Sequence, residues 1–260
     1  MCGRYLITSA PEAIRALFRY REEPDFPPRY NVAPTQPVPI VRIGRGVRSF
    51  ALVRWGLIPS WVKDPRNFSL LINARGETVN EKPAFQNAMR RRRCLFPADG
   101  FYEWKTDGAR RRPYFIRPRG GGPIAFAGLW ETWSGPNGEE VETACIVTTM
   151  ANRALMPIHD RMPVVIAPDG FDLWLDTAHV DAVTAAALIV PAPDNFFEAH
   201  EISTAINRTA NDSAAVIKPV GSSEAAATAG SAAAPQPPAA KVKASPKAKP
   251  KKDDGQASLF

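Results

Sequence analysis

The pattern of apolar and polar positions predicts a set of short strands within the first 220 residues. Apolar residues there either alternate with polar ones or run together between Gly and Pro residues. Alternation is typical of a half-buried strand, and a short continuous apolar run is typical of a fully buried one. The predicted strands cover residues 38–43, 49–55, 124–129, 144–149 and 163–166.

Helical periodicity is confined to short segments. Ser9 followed by Glu12 has the spacing of a capping box, which predicts that a helix begins there. Its buried stripe would consist of Ile14, Leu17 and Phe18. Further helices are predicted at residues 84–91, 171–175 and 180–188. Because strands outnumber helices and do not alternate with them regularly, the predicted fold class is α+β with a largely antiparallel sheet.

The composition changes near Gly221. Beyond it the chain is rich in Ala, Pro, Ser and Lys, and large apolar residues return only at Leu259 and Phe260. Such a segment buries too little apolar surface to offset the entropy of ordering. The sequence therefore predicts one folded domain, residues 1–220, and a disordered tail, residues 221–260.

Length and composition favour an intracellular globular protein. The chain has 260 residues, of which 45% are hydrophobic, and this is enough for a substantial core. No stretch of about 18 residues is apolar and free of charge, and the first residues lack a signal-peptide core. We expect a cytoplasmic protein without a membrane segment.

Cysteine and histidine usage argues against disulfides and metal sites. The residues concerned are Cys2, Cys94, Cys145, His159, His179 and His200. The cysteines are odd in number and widely spaced, and no histidine is at metal-ligand spacing from another or from a cysteine. We expect neither a metal ion nor another cofactor. The net charge of +7 suits a nucleic-acid partner without proving one.

Cys2 would carry a thiol and a free α-amine on neighbouring carbons once Met1 is removed. An α-amine has a pKa of about 7.7 to 8.0, so an appreciable fraction is neutral and nucleophilic near pH 7. The amine can form a Schiff base with an aldehyde, and the thiol can then close a five-membered thiazolidine ring. Taken alone, Cys2 is better explained as a chance residue after the start codon.

Six blocks in a fixed order change that interpretation. They are Met1-Cys2-Gly3-Arg4-Tyr5, Arg29-Tyr30-Asn31-Val32-Ala33-Pro34, Trp55-Gly56, Ile72-Asn73-Ala74-Arg75-Gly76-Glu77-Thr78, Gly100-Phe101-Tyr102-Glu103-Trp104-Lys105 and Ile158-His159-Asp160-Arg161-Met162-Pro163. Together they resemble the SOS response-associated peptidase family, whose members crosslink to abasic sites in single-stranded DNA. The resemblance runs from Cys2 to about Val220. It implies a single domain of that family with a curved sheet and short flanking helices.

The resemblance also implies roles for individual residues. Cys2 matches the crosslinking cysteine, Asn73 the asparagine that orients it, and Glu103 and His159 the active-site glutamate and histidine. The DNA contacts implied are Arg4, Arg75 and Arg161 on phosphates, the loop of Asn31 and Pro34, and further Trp104 and Thr148. The partner implied is single-stranded DNA that contains abasic sites, and a monomer is the expected state.

The chemistry fits these residue types. An abasic deoxyribose is mostly a closed hemiacetal, so ring opening needs a proton carrier, and a carboxylic acid and an imidazole are both suitable. Glu103 stands between Tyr102 and Trp104, a setting that would raise its pKa if it is buried. Arg161 is expected on the same strand face as His159. The basic run Arg90–Arg93 and the rings of Trp61 and Trp104 are weaker candidates for DNA contacts.

Two other functions remain open from the sequence. An N-terminal-nucleophile cysteine peptidase would use the same cysteine and amine. A non-covalent module for single-stranded DNA is the other, but it leaves Cys2, Glu103 and His159 unexplained.

The tail ends in a pattern of its own. The last five residues run from Gln256 to Leu259-Phe260 and resemble the pentapeptide by which bacterial proteins dock on the replicative sliding clamp. Gln256 would be the polar anchor, and Leu259 and Phe260 would fill the pocket. This predicts the clamp as a second partner and a place close to the bacterial nucleoid.

Overall fold

The structure, a computed structural model, describes residues 2–221 as a sheet-dominated domain with short helices. The strands within this range are β1 (Tyr5–Ile7), β2 (Arg29–Val32), β3 (Pro37–Gly44), β4 (Val47–Trp55), β5 (Asn73–Arg75), β6 (Arg93–Ala98), β7 (Gly100–Asp107), β8 (Arg110–Pro118), β9 (Ile124–Ser134), β10 (Glu140–Met150), β11 (Arg161–Pro163), β12 (Val165–Ile166) and β13 (Phe197–Glu201). The α-helices are α1 (Pro11–Phe18), α2 (Gln86–Arg91), α3 (Phe171–Leu175) and α4 (Ala182–Ala186). Single 3₁₀ turns cover Pro65–Asn67, Gly76–Thr78, Pro168–Gly170, Thr204–Asn207 and Ala214–Ile217.

The larger sheet closes on itself. The strands β3, β4, β6, β9 and β10 pair in a circuit, because β10 contacts β9 on one side and β4 on the other. The strands β11 and β5 also pair with β10, and β12 pairs with β9. Most pairs are antiparallel, as predicted, and β10 runs parallel to β4 and β5. The result is a barrel-like core that leaves few open edges.

The smaller sheet has the order β13-β8-β7-β1-β2 and packs one face on the barrel. The ring of Tyr5 lies edge-on to Trp55 and Phe126, and Phe101 also contacts Phe126. These contacts join β1 and β7 of the smaller sheet to β4 and β9 of the barrel. The short strand β1 is therefore held in the interior of its sheet, between β7 and β2.

The opposite face of the smaller sheet is covered by the chain that follows β13. Leu6, Tyr102 and Phe115 form a second buried cluster with Ile202, Ile206 and Val216. Side chains alternate along a strand, so neighbouring residues of β7 point to different layers. Phe101 packs into the core towards the barrel. Tyr102 packs under residues 202–217, which follow β13 and are called the C-terminal segment below.

The predicted α+β class is confirmed, and each of the five predicted strand ranges contains strand structure. The last range, 163–166, is divided between β11 and β12. Helices α2 and α4 are shorter than predicted, α3 has its predicted bounds, and the capping box is wrong. Helix α1 begins after Ala10, which has no side-chain hydrogen bond at the cap, and Ser9 instead donates its hydroxyl to Asp99. Leu17 is only half-buried. The predicted tail, including Gln256, Leu259 and Phe260, lies outside the described residues.

No helix within residues 2–221 is both long and apolar enough to cross a lipid bilayer.

Candidate active site

Cys2 is buried, three residues before the start of strand β1. Its thiol lies 3.9 Å from the carbonyl oxygen of Arg4. Burial raises the pKa of the thiol well above its ordinary value, and the negative charge of Glu103 raises it further. The thiol is therefore held protonated at neutral pH, with Glu103 near enough to affect it electrostatically.

Asn73 fixes the backbone of Cys2. The side chain stands at the start of β5, and its Nδ2 donates a hydrogen bond of 2.9 Å to the carbonyl oxygen of Cys2. Strand β5 is itself anchored by parallel pairing to β10, with Asn73 opposite Ile146. Within the described part of the chain, Asn73 Oδ1 is buried and accepts no hydrogen bond. One side of the amide orients Cys2, and the other remains available as an acceptor.

Glu103 lies on β7 and is only 3% exposed. Burial is the largest cause that raises its pKa from 4.5 to about 7. The apolar setting does not come from its sequence neighbours, because Tyr102 and Trp104 pack in the cluster on the opposite face of the sheet. It comes instead from the layer between the sheet and the barrel. Near neutral pH this carboxyl group can both hold and release a proton.

His159 lies in the loop that precedes β11 and not in the strand itself, so the prediction that it shares a strand face with Arg161 is wrong. Its Nε2 is 3.9 Å from Glu103 Oε2. Its Nδ1 accepts a hydrogen bond of 3.0 Å from the backbone N–H of Arg161 and is 2.9 Å from Asp160 Oδ1. Burial lowers the pKa of the imidazole below 6.5, and Asp160 opposes that change. The neutral imidazole is therefore favoured at pH 7.

The four predicted site residues thus come together at one place. Asn73 bonds Cys2, the charge of Glu103 affects the thiol, and His159 approaches Glu103. The positive charge of the amino terminus lowers the pKa of both Glu103 and His159. The arrangement combines a nucleophile with two groups that can move protons near neutrality.

The side chain of Arg4 contacts the C-terminal segment. Its guanidinium donates to Asn31 Oδ1 at 2.7 Å and to the carbonyl oxygens of Ile206 and Asn207 at 2.9 and 3.3 Å. Asn31 is fully buried, and its Nδ2 donates to three backbone carbonyls of the same segment. Asn31 thus supports Arg4 in this structure, and direct contact of its side chain with DNA stays a prediction.

The remaining predicted DNA contacts differ in exposure. Arg75 is exposed at the end of β5, and Pro34 is half-buried beside exposed Thr35, whose φ of 73° marks a tight loop. Trp104 is half-buried, and its Nε1 donates to Asn207 Oδ1 at 2.9 Å. It lies on the opposite face of β7 from Glu103. Arg75 and the loop at Pro34 therefore offer the more accessible surfaces.

Thr148 and Arg161 are not surface residues. Thr148 is fully buried on β10. Arg161 is 8% exposed, and both of its terminal nitrogens bond the carboxylate of Glu77. Contact of these two residues with DNA stays a prediction, and it requires that they move.

The weaker candidates for DNA contacts, Trp61 and the basic run Arg90–Arg93, also differ in exposure. Trp61 is 58% exposed and packs edge-on against Phe68, so its ring is accessible. The basic run divides: Arg90 and Arg91 are exposed, Arg92 bonds Glu131 and stacks over Trp130, and Arg93 is buried with four bonds to backbone carbonyls. Half of that run is therefore structural.

Sequence reasoning missed three residues that hold this region together. Glu77 pairs with Arg161, Asn207 bonds both Arg4 and Trp104, and Asp212 accepts from the backbone of Tyr30 and Asn31. Glu77 stands in the same block as Asn73 and Arg75, which was a usable signal. Asn207 and Asp212 stand in a segment without apolar periodicity, so the sequence offered no comparable signal.

The described residues contain no cluster of three or more His, Cys, Asp and Glu side chains that could hold a metal ion.

The chain is similar to known proteins in family, sequence and structure. A family model described as SOS response associated peptidase (SRAP) matches residues 1–209. The abasic site processing protein YoaM of Bacillus subtilis is 38% identical over 222 residues, which are 84% of this chain and 97% of YoaM. The abasic site processing protein YedK of Escherichia coli is 34% identical over 229 residues, 85% of this chain and 100% of YedK.

More distant relatives agree. The abasic site processing protein HMCES of Xenopus tropicalis is 29% identical over 257 residues, which cover 82% of this chain and 76% of HMCES. A crystal structure of a protein from Bacteroides thetaiotaomicron superposes with a TM-score of 0.76 at 24% identity, covering 84% of this chain and 99% of that one. This last similarity establishes the fold alone.

Proposed function

The chain belongs to the SOS response-associated peptidase family, and from that premise we propose that it processes abasic sites in single-stranded DNA by a covalent bond to Cys2. The relatives that cover most of its length are named for abasic-site processing. The observation that carries the proposal is the position of Cys2, held through its carbonyl by Asn73 and within electrostatic reach of Glu103.

The first step is the opening of the abasic sugar to its aldehyde. The bond between C1′ and the ring oxygen breaks, the C1′ hydroxyl loses its proton, and the ring oxygen gains one. Glu103, with a pKa of about 7, gives its proton to the ring oxygen, and the carboxylate so formed takes the proton of the C1′ hydroxyl, with neutral His159 beside it. His159 Nε2 lies 3.9 Å from Glu103 Oε2, so the imidazole borders the carboxyl group that carries the proton.

Covalent capture then uses both nucleophiles of Cys2, once Met1 has been removed. The α-amine adds to the aldehyde carbon, and the adduct loses water to form an imine. The S–H of Cys2 then adds across the C=N bond, so that sulfur bonds the carbon and the proton goes to nitrogen. Because burial keeps the thiol protonated, the amine attacks first and the thiol closes the ring. Asn73 Oδ1 is suited to accept a hydrogen bond from the amine.

We propose that DNA approaches over Arg75, the loop at Pro34 and the side of the C-terminal segment that holds Arg4 and Trp104. A guanidinium is well shaped for phosphate, and an aromatic ring offers a stacking surface for a base. Substrate of this kind implies that the protein acts in the cytoplasm, near replicating DNA.

A peptidase reaction is the second candidate, because the family description contains that activity. The same thiol would attack a peptide carbonyl, and His159 would take its proton. The raised pKa of the Cys2 thiol disfavours this reaction, since hydrolysis of this type needs a thiolate or a base strong enough to form one.

Incubation of the purified protein with abasic single-stranded DNA tests the proposal. We expect a complex that survives denaturation, and its intact mass should equal that of the chain without Met1 plus DNA minus one water. Cys2→Ala should still bind DNA but form no stable complex, and Cys94→Ala is a matched control that should behave like wild type. A full yield of heat-stable complex from Cys2→Ala would exclude the mechanism.

A further inference from the structure

We propose that Glu77 and Arg161 are a positioning pair that holds the segment of Asn73 and the loop of His159 in register for the reaction at Cys2. The inference rests on the function proposed above and assigns Arg161 a role different from a phosphate contact.

The pair is geometrically well formed. Arg161 Nη1 donates to Glu77 Oε1 at 2.7 Å, and Nη2 donates to Oε2 at 2.8 Å. Nη2 also donates to the carbonyl oxygen of Thr148 at 2.8 Å. The Arg161 side chain is 9% exposed and that of Glu77 is 45% exposed. A bidentate pair with one buried member fixes direction as well as distance.

The two partners lie on segments that flank the same strand. Arg75 at the end of β5 is opposite Thr148 of β10, and Pro163 of β11 is opposite Thr148 from the other side. Glu77 follows β5 by two residues, and Arg161 begins β11. The ion pair therefore passes across the end of β10 and ties together the segment that begins at Asn73 and the strand that follows His159.

Gly76 makes this crossing possible. A Cβ atom there would lie 3.2 Å from the carbonyl oxygen of Thr148 and 2.2 Å from a side-chain carbon of Ile189. Only glycine lets the turn approach β10 this closely without displacing its neighbours. The approach brings the carboxylate of Glu77 within reach of Arg161.

Arg161 also acts on His159 directly through its backbone. Its N–H donates to His159 Nδ1 at 3.0 Å, which favours the neutral tautomer with its proton on Nε2, against the opposing charge of Asp160, whose Oδ1 lies 2.9 Å from the same nitrogen. That nitrogen is the one that faces Glu103, 3.9 Å away. The other charged groups that affect His159 are Asp160, Arg111, Arg161 and the amino terminus. A shift of Arg161 would thus disturb both the tautomer and the direction of the proton carrier.

A phosphate contact by Arg161 predicts the opposite behaviour. If Glu77 merely occupies a guanidinium meant for DNA, removal of its charge frees that guanidinium and tightens DNA binding. If the pair positions His159, removal of the charge leaves DNA affinity unchanged and slows the bonding step.

The experiment measures two quantities for Glu77→Gln. One is its DNA affinity, and the other is its crosslinking rate at saturating abasic single-stranded DNA. We expect a dissociation constant within about twofold of wild type and a rate reduced about 10- to 100-fold, the range typical of small misplacements in an active site. The pH dependence of the rate should shift as well, because the tautomer of His159 is no longer fixed. Glu198→Gln breaks the exposed ion pair of Glu198 with Arg117 and should change neither quantity.

The exchanged double variant, Glu77→Arg with Arg161→Glu, gives a second arm. We expect it to recover part of the rate that Arg161→Glu alone loses, whereas loss of a phosphate contact would not be recovered. The inference is overturned if Glu77→Gln crosslinks at the wild-type rate or binds DNA more tightly. If wild-type protein itself forms no crosslink, the proposed function fails. In that case the ¹⁵N shifts of the His159 ring, compared between wild type and Glu77→Gln, still test whether the pair fixes the tautomer.

Discussion

At the scale of single residues, the site is distinguished by a carboxyl group and a thiol whose pKa values are both raised by burial. Glu103 is almost completely buried yet close to groups that carry charge, and its pKa is raised to about 7. A group in this range changes protonation easily at physiological pH, which is what acid-base chemistry requires. The burial that raises the pKa of Glu103 also makes the stability of the folded chain depend on pH.

We predict that Glu103 makes the protein less stable as pH rises. The folded pKa is above the unfolded value of 4.5, so between about pH 4.5 and 7 the folded state binds more protons than the unfolded state. Stability from this group is complete below pH 4.5 and falls until about pH 7. The total loss is roughly 3 to 4 kcal/mol, since the folded and unfolded pKa values differ by about 2.5 and one pKa unit is worth about 1.4 kcal/mol.

Glu103→Gln removes this titration and checks the sign. In chemical denaturation, the difference in unfolding free energy between the variant and wild type should move in favour of the variant from pH 5 to pH 8. A difference that stays constant across this range would mean that Glu103 is not desolvated. Glu139→Gln, in an exposed turn, serves as a control that should show no such trend.

The identities of the chemical residues could be predicted from the sequence, and their surroundings could not. Cys2, Asn73, Glu103 and His159 stand in compact blocks, and the structure brings them together. The raised pKa of Glu103 was expected for the wrong reason, because its aromatic neighbours point away from it. Local sequence indicates which residue types are present but not which layer each side chain enters, and that depends on pairing with distant strands.

At the scale of elements, the short strand β1 is positioned by long-range contacts. Three residues form it, yet it pairs with both β2 and β7. No alternating pattern of useful length surrounds it, so periodicity did not predict it. Of the longer strands, β3, β4, β9 and β10 were predicted because each has its own apolar pattern and clear turn residues at its ends, whereas the equally long β7 and β8 were not predicted.

The start of α1 shows the same limit of local signals. Asp99, at the turn between β6 and β7, accepts hydrogen bonds from the backbone N–H groups of Thr8 at 2.5 Å and Ser9 at 2.8 Å, and from the Ser9 hydroxyl. A residue some 90 positions away thus takes the role that the sequence pattern gave to Glu12. The local capping box is replaced by a tertiary contact.

We predict that Asp99→Ala destabilises the protein by about 1 to 3 kcal/mol, because it leaves the two backbone donors without their acceptor. Glu12→Ala, by contrast, should change the unfolding free energy by no more than about 0.5 kcal/mol, as is usual for an exposed position. Urea denaturation of both variants decides between the two caps. Equal destabilisation would restore the capping box as the better description.

At the scale of the whole molecule, the barrel and the smaller sheet each supply part of the candidate site. The barrel supplies Asn73 from β5 and, through β11, the loop of His159, and the smaller sheet supplies Cys2 and Glu103. The site therefore forms only when the two sheets are packed against each other. The sequence could indicate the fold class, but the closed strand circuit depends on pairings such as the parallel contact of β10 with β4, which no local pattern encodes.

The pentapeptide of residues 256–260 adds a prediction of its own. We expect a peptide of residues 246–260 to bind a bacterial sliding clamp, because Leu259 and Phe260 suit an apolar pocket and Gln256 a polar one. Titration followed by fluorescence anisotropy should show binding at or below about 100 μM, a typical range for short docking peptides that lack other contacts. The same peptide with Leu259→Ala and Phe260→Ala is the control, and equal binding by both would assign the tail another role.

The burial of Cys2 has a consequence for the order of events during synthesis. The α-amine that we propose as a nucleophile appears only after the initiator methionine is cleaved, and a processing enzyme must reach the peptide bond before Cys2. Tyr5 finds its partner at Phe101, and this residue emerges from the ribosome much later. At about 5 to 20 residues per second, the gap gives the processing enzyme roughly 5 to 20 s of access to an undocked terminus. On the proposed mechanism, overproduction that exhausts the aminopeptidase would therefore yield folded protein that retains Met1 and forms no crosslink.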